Sequence, residues 1–254
     1  LKGFNELRAK YLKNSSWDLH LSKDTSIYDI IQMMCGTHKI TLSEHFRCLP
    51  EIIHYSNKEY YDMCINPLKI RNKEHTIEKP IKTIYVPNAV VKRIGNKVGN
   101  QKECERIISI IEDIANDKTY DGKTIGIIAL QNSDVYIKKL IEMVMKSFGE
   151  KFIKERKIKI GDTYDFQGDE RDVIIFSIGY AKNENGRLIR NFGWLNQKGG
   201  ENRLNVAISR AKKKVHIVTS FNPAELQVED DNANDKFAAD YQVYGDKGLR
   251  VGLN

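Results

Sequence analysis

Short apolar runs alternate with longer segments of helical periodicity along most of the chain. Strands are predicted near residues 40–43, 82–87, 124–130, 157–163, 172–178 and 214–219, and helices near residues 25–34, 50–61, 100–116, 133–148 and 201–213. Such alternation is typical of a parallel sheet that helices cover on both faces. The pattern therefore predicts an α/β fold.

The clearest helix start follows Gly99. Asn100 is a favourable N-cap residue, and Glu103 stands three positions later, where it suits a capping box. Four isoleucines then recur on one helical face; they are Ile107, Ile108, Ile111 and Ile114. We expect this helix to pack that face against the sheet.

Residues 159–176, KIGDTYDFQGDERDVIIF, are predicted to form a strand, a polar loop and a second strand. The end of a parallel strand is where an open α/β sheet binds ligands. Gly168 lets the backbone approach a phosphate or a sugar closely, and Glu170 can accept a hydrogen bond from a ribose hydroxyl. Thr163 can donate to a backbone phosphate. The alternative is an ordinary turn with a packed Phe166.

An apolar face recurs at helical spacing through residues 202–212, NRLNVAISRAK, directly before a strand-like run. Arg210 lies off that face, so the helix would hold it beside a cleft. Its planar guanidinium suits phosphate oxygens, which makes Arg210 a candidate arginine finger. A solvated helix face is the alternative, and it is the favoured interpretation for residues 212–214.

A third segment, residues 42–61, places Phe46 and Arg47 shortly before Pro50. Proline is well suited to the first turn of a helix, and Ile52 begins an inward face beyond it. Phe46 is either a core residue or a ring that lies against a base. The residues alone leave both interpretations open.

These segments together resemble the last motifs of superfamily 1 helicases. The matching stretches are EHFRC at 44–48, GDTYDFQGDERDVI at 161–174 and RLNVAISRA at 203–211. The combination resembles most closely a bacterial branch of superfamily 1B, and the resemblance covers roughly residues 24–222. A further stretch, IGIIALQ at 125–131, is similar to the IGVITPY of many relatives but lacks its Pro and Tyr.

The resemblance implies a C-terminal RecA-like domain, the second motor domain of a helicase. Phe46 would lie against the adenine of ATP, and Arg47 would reach the γ-phosphate. Arg210 would act as the arginine finger. Gly168 and Glu170 would belong to the same nucleotide site.

Four residues are candidate contacts for a single strand of DNA or RNA. Thr163 and Gln167 belong to the polar loop, whereas Arg190 and Trp194 belong to a stretch, residues 179–203, that mixes cations with aromatic rings. The alternative for that stretch is a solvated insertion that its aromatic rings pin to the protein body. A net charge of +7 and a pI of about 9.0 agree with a nucleic-acid partner.

The chain contains no GxxxxGK followed by Ser or Thr, and no apolar strand that ends in Asp-Glu. It therefore lacks the sequence that cradles the β- and γ-phosphates. We expect a RecA-like P-loop NTPase fold without its own P-loop. A first RecA-like domain of the same longer protein would be its partner and would hold most of the ATP and the Mg²⁺.

The resulting domain organisation has three parts. Residues 1–24 would form the junction to the first motor domain, residues 25–222 the RecA-like domain, and residues 223–254 a C-terminal extension. The four cysteines lack CxxC spacing and favour reduced thiols in the cytoplasm, without a metal site. The apolar runs are too short to span a bilayer, so no membrane partner is expected.

Two other functions compete with a helicase motor. One is a non-catalytic module, derived from a helicase, that only binds single-stranded nucleic acid. The other is an unrelated nucleotide-binding or scaffold domain of doubly wound topology. Arg47 and Arg210 on opposite faces of the molecule would favour that last alternative.

Overall fold

A computed structural model describes residues 2–13, 15, 25–36, 40–70, 79–94, 97–131, 133–188 and 200–222. The chain divides into two compact units, residues 1–43 and residues 44–254. The first unit contains helices α1 (Lys2–Tyr11) and α2 (Ile27–Cys35). Ser26 and Asp29 form a capping box at the start of α2, which fixes that helix start.

The second unit is built on five parallel strands. In chain order they are β3 (Ile81–Tyr85), β6 (Ile125–Ala129), β7 (Lys159–Gly161), β8 (Arg171–Ser177) and β9 (Ala211–Thr219). Their order across the sheet is β3-β9-β8-β6-β7, and every neighbouring pair is parallel. Two small pairs stand apart: β1 (Glu44–His45) with β2 (Asn66–Pro67), and β4 (Lys92–Ile94) with β5 (Lys97–Gly99).

Four helices in the described part of this unit cover the sheet. They are α3 (Pro50–Tyr60), α4 (Gln101–Asn116), α5 (Asp134–Glu155) and α6 (Gly200–Ile208), and a short 3-10 turn, Lys118–Tyr120, follows α4. One core joins α3 and α6 to the sheet through side chains such as Ile52, Ile174 and Ala207. A second core joins α4 and α5 to the opposite face.

Successive residues of β8 enter the two cores in turn, since Ile174 belongs to the first core and Ile175 to the second. The predicted α/β fold, a parallel sheet with helices on both faces, is confirmed. The isoleucine stripe of α4 is buried as expected.

Several predicted elements differ from the structure in their bounds; the helix predicted for residues 133–148, for example, continues to Glu155. The helix predicted for residues 201–213 ends at Ile208, and Ala211 already pairs with Arg171 of β8. Helical spacing carried that prediction too far, because pairing with a neighbouring strand outweighs local periodicity. The strand predicted for residues 40–43 is irregular, and pairing begins only at Glu44.

Candidate functional site

Glu170 and Arg210, two of the candidate residues from the sequence, lie at the same edge of the sheet, where the strands begin. Glu170 immediately precedes β8, and Arg210 lies in the turn immediately before β9. Parallel pairing of Arg171 with Ala211 sets the two strand starts side by side. The sequence predicted ligand binding at the carboxyl ends of the strands. That prediction is wrong for this part of the site, which lies at the amino ends of β8 and β9.

Arg47 reaches the same edge from the segment before α3. Its Nε donates to Glu170 Oε2 at 2.8 Å, and its Nη1 donates to the carbonyl oxygen of Ser209 at 3.4 Å. Lys69 fixes the surrounding backbone, because its Nζ donates to the carbonyl oxygens of Arg47 at 2.6 Å and Lys212 at 2.9 Å. The segment before α3 and the turn before β9 are thus held together.

Hydrogen bonds to nearby backbone carbonyl groups orient the Arg210 side chain. Its Nε donates to the carbonyl oxygen of Val206 at 2.8 Å, and its Nη1 donates to the carbonyl oxygen of Asp169 at 3.3 Å. Burial, followed by the positive charge of Arg47, lowers the pKa of Arg210 from its usual value. An arginine remains protonated at neutral pH, so two guanidinium groups share a partly desolvated site that an anion would stabilise.

Glu170 balances part of this charge. Its second oxygen, Oε1, accepts from Lys212 Nζ at 2.7 Å while Oε2 accepts from Arg47. The hydrogen bond from Lys212, and then that from Arg47, lower the pKa of the Glu170 carboxyl. The expectation that Lys212 lies on a solvated helix face is wrong, because Lys212 belongs to β9 and pairs with Glu170.

Phe46 is 67% exposed, directly beside Arg47 in the chain. The interpretation of Phe46 as a core residue is therefore wrong. A large exposed ring next to a cationic site is available to stack on a planar ligand.

The polar loop of residues 162–170 connects the two edges of the sheet. It leaves β7 near the carboxyl edge, where Gly161 pairs with Ile128 and Ile128 pairs with Phe176, and it ends at Glu170 on the amino edge. Thr163 therefore lies close to the carboxyl edge. One short loop thus carries candidate residues for both edges.

Phe166 anchors this loop in the core. Its side chain is fully buried, and a methyl group on Gly126 would come within 2.7 Å of Phe166 Cε1. Asp162 and Asp165 brace the start of the loop, because the Asp162 amide donates to Asp165 Oδ2 at 2.9 Å and the Asp165 amide to Asp162 Oδ1 at 3.0 Å. The alternative of an ordinary turn explains the packed Phe166. It does not explain why the loop runs from the carboxyl edge of the sheet to the amino edge.

The remaining candidates have different surroundings. Gln167 and Gly168 are exposed on the same loop, and Gly168 has φ 77°, a left-handed value that favours glycine. Arg190 and Trp194 lie outside the described residues. The structure thus brings Arg47, Glu170 and Arg210 together and sets Thr163 at the other end of the loop.

Sequence reasoning missed a tripeptide that imitates a P-loop, Gly122-Lys123-Thr124. Asp117 stands where a P-loop has its first glycine, and the tripeptide leads into β6 instead of following a strand. Thr124 is tied to Asp172, whose Oδ2 accepts from the Thr124 amide at 3.0 Å and from its hydroxyl at 2.8 Å. This stretch is structural and does not replace the absent P-loop.

A family described as AAA domain matches residues 24–222. The chain belongs to this AAA domain family. The AAA domain is similar to a protein named Uncharacterized ATP-dependent helicase MG140 from Mycoplasma genitalium, which is 28% identical over 188 residues, or 69% of this chain and 16% of that protein.

Two further relatives resemble the AAA domain. The MG140 homolog of Mycoplasma pneumoniae is 26% identical over 216 residues, which cover 80% of this chain and 18% of that protein. Helicase sen1 of Schizosaccharomyces pombe is 26% identical over 231 residues, which cover 84% of this chain and 12% of that protein. The chain therefore spans less than a fifth of these relatives, and the matches support a superfamily 1 helicase domain.

The two Mycoplasma relatives are named ATP-dependent helicases. The donor set of the AAA domain fits one side of a triphosphate, since Arg47 and Arg210 present planar cations from neighbouring elements. Within the described ranges, no group of three or more His, Cys, Asp and Glu side chains is arranged to hold a metal ion. Nor is any helix in those ranges both long and apolar enough to cross a membrane.

Proposed function

We propose that this AAA domain is the second motor domain of an ATP-dependent superfamily 1 helicase or translocase. The observation that supports the proposal most strongly is the pair of arginines held side by side at one edge of the sheet. Two adjacent cations in a partly desolvated site are stabilised by a polyanionic ligand. Opposite placement, which would have favoured a scaffold domain, is not what the structure has.

The arginines take separate roles in the proposed reaction. Arg210 is the arginine finger that stabilises charge during phosphoryl transfer, and Arg47 contacts the γ-phosphate. Phe46 stacks on the adenine, and Glu170 accepts a hydrogen bond from the ribose once Arg47 turns toward phosphate. Gly168 keeps the loop backbone open beside the sugar.

A first RecA-like domain of the same longer protein is the proposed partner. It would supply the P-loop and hold the Mg²⁺, and this chain would close over ATP from the other side of a cleft. Residues 25–222 form the motor domain in this proposal, residues 1–24 the junction and residues 223–254 an extension. The protein would work in the cytoplasm, away from membranes.

Single-stranded nucleic acid is the proposed track, through Thr163, Gln167, Arg190 and Trp194. The loop of residues 162–170 supports this assignment, because it begins near Thr163 and ends at the arginine site. Phe166 and the two aspartates hold the loop in one shape, so that Thr163 and the arginine site would keep a fixed spacing when the cleft closes. The strand would then advance with each cycle of closure and opening.

The test is ATP hydrolysis by the longer protein that includes the proposed first domain, with and without single-stranded DNA or RNA. We expect turnover that rises when a strand is added. Turnover that does not respond to any strand would contradict a motor.

A non-catalytic strand-binding module is the second candidate, because the chain contains no complete P-loop sequence. In the same experiment this module would bind strands in a salt-sensitive way without hydrolysing ATP. The two functions are thus separated by turnover alone.

A further inference from the structure

A buried carboxylate lies at the carboxyl edge of the sheet, opposite the arginine site. Glu103, in the first turn of α4, is fully buried. Its Oε1 and Oε2 each lie 3.0 Å from the amide nitrogen of Gly179, and Asn100 Nδ2 donates to Oε2 at 2.9 Å. The hydroxyls of Ser177 and Ser220 lie at 3.3 and 3.4 Å from its oxygens.

These donors come from three separate elements. Ser177 and Gly179 are where the chain leaves β8, Ser220 is where it leaves β9, and Asn100 caps α4. Asn100 Nδ2 also donates to Ser220 Oγ at 2.8 Å. Glu103 therefore ties the exits of two adjacent central strands to one helix start.

The backbone at Gly179 has little freedom of its own. Its φ is 78°, and a methyl group there would lie 2.7 Å from Gln131 Cβ. A left-handed turn packed this closely accepts only glycine. The direction in which the chain leaves β8 is thus set by Gly179 and held by Glu103.

The described residues beyond Gly179 form an ordered turn. The Val91 amide donates to the carbonyl oxygen of Lys182 at 3.0 Å, and the Asn183 amide donates to that of Arg187 at 2.9 Å. Asn183 Oδ1 accepts from the Arg187 amide at 2.9 Å. Lys182 and Arg187 are both exposed on this turn.

The chemistry of this cluster is not what packing alone would select. A buried carboxylate loses its hydration, and every donor that we see around Glu103 is neutral. Burial raises the pKa of Glu103 to about 8. An apolar side chain of similar volume would fill the space, but it could not orient the Gly179 amide.

We propose that Glu103 is a positioning residue for strand binding, which fixes the turn bearing Lys182 and Arg187 against the phosphates of a single strand. This inference rests on the proposed function. The two cations lie at the carboxyl edge, as Thr163 does, so that one strand could contact both. Glu103 itself touches no ligand.

The test is binding of a fluorescein-labelled, single-stranded 15-mer to the 254-residue chain, followed by anisotropy across a salt series. Glu103→Gln keeps the size and removes the second acceptor oxygen, and we expect it to weaken binding about tenfold. The slope of log K against log salt should shrink by about 0.7 for each phosphate that the variant no longer neutralises. Glu105→Gln is the matched control, since it is the same substitution on the same helix at an exposed position outside the Glu103 cluster.

A double-mutant cycle separates positioning from a general loss of folded protein. In a chain that carries Lys182→Ala and Arg187→Ala, Glu103→Gln should have no further effect on affinity. A loss that adds fully to theirs, or affinity within twofold of wild type for E103Q alone, would overturn the positioning role and leave the motor proposal intact.

Two further outcomes are decisive. A wild-type chain that binds no strand at any salt concentration overturns both strand binding and the role of Glu103, and so differs from failure of the positioning role alone. If E103Q does not fold, Ser220→Ala replaces it, because it removes one donor from the same carboxylate. That variant should weaken binding about threefold with the same coupling to Lys182 and Arg187, and an unchanged affinity would overturn the proposal.

Discussion

At the scale of single residues, the two glutamates that matter most are held in opposite ways. Glu170 lies at the surface between two cations, Arg47 and Lys212, which keep it ionised. Glu103 is buried among neutral donors, and loss of hydration outweighs its hydrogen bonds. Glu170 can give up its bonds to the cations when a ligand binds, whereas Glu103 can only hold the backbone around it.

Glu103 should make the stability of the chain depend on pH. Its pKa in the folded chain, about 8, lies above its ordinary value of 4.5, so the folded state keeps a proton that the unfolded state has released. Its contribution to the free energy of unfolding is therefore full below pH 4.5. That contribution falls as the pH rises toward 8, by up to about 1 kcal/mol per pH unit.

E103Q should lose this slope, because its amide does not titrate. Urea unfolding of both proteins at pH 5.5, 6.5 and 7.5 would measure the difference between the two slopes. Equal slopes would mean that Glu103 is already ionised in the folded chain at the lower pH.

The same residue shows a limit of sequence reasoning. Asn100 caps α4 as its position indicates, with Oδ1 accepting from the Glu103 amide at 3.1 Å. The Glu103 side chain, however, turns inward to the exits of β8 and β9, which no local spacing can indicate. Those contacts depend on which strands neighbour one another, and strand order is a property of the whole sheet.

At the scale of elements, the loop of residues 162–170 is the part that links the two edges. Its polar composition predicts a ligand site, and the buried ring of Phe166 explains why the loop holds one shape. Arg203 of α6 adds a contact, with its guanidinium 4.7 Å from the centre of the Tyr164 ring. Helix α6, which precedes β9, is thus in direct contact with the loop, which precedes β8.

Phe166→Ala should cost about 3–5 kcal/mol of stability, because the side chain is fully buried and leaves a cavity. It should also reduce the stimulation of ATP turnover by single strands in the longer protein, since the loop would no longer hold Thr163 and the arginine site at a fixed spacing. Phe152→Ala on α5 is the matched control, because Phe152 is only half-buried and packs on the other core.

Urea unfolding and the ratio of turnover with and without strand measure the two effects. If single strands still stimulate ATP turnover by Phe166→Ala at a temperature where the variant is folded, the loop does not couple strand binding to hydrolysis.

Elements also show where local periodicity misleads. Helical spacing predicts that α6 continues past Arg210, whereas β9 begins at Ala211 because that residue pairs with β8. Arg210 is therefore aimed by a turn between two elements. The identity of the candidate residue was available from the sequence, but its surroundings were not.

At the scale of the whole molecule, the proposed function requires a partner domain that closes over ATP. The alternation of strands and helices predicts the doubly covered sheet, and the resemblance agrees with the family. The resemblance places Arg47 and Glu170 in one site, but it does not predict their direct contact, or that Arg47 also reaches Ser209 at the start of β9 from more than a hundred residues away in the chain.

The proposed closure has an observable consequence for size. In the longer protein, a non-hydrolysable ATP analogue together with a single strand should reduce the radius of gyration measured by small-angle X-ray scattering. The combined change of Arg47→Ala and Arg210→Ala should abolish that reduction, because this domain then lacks both arginines that we propose hold the phosphate. A reduction that persists in this variant would assign closure to other residues.

The most direct test of the account is the rate of ATP hydrolysis by Arg210→Ala in the longer protein with saturating strand. We expect kcat to fall about a thousandfold or more while strand affinity stays unchanged, because an arginine finger acts on the transition state. Lys213→Ala is the matched control, three residues later on β9, and should retain wild-type turnover. A kcat for Arg210→Ala within a few-fold of wild type would contradict the assignment of the arginine finger.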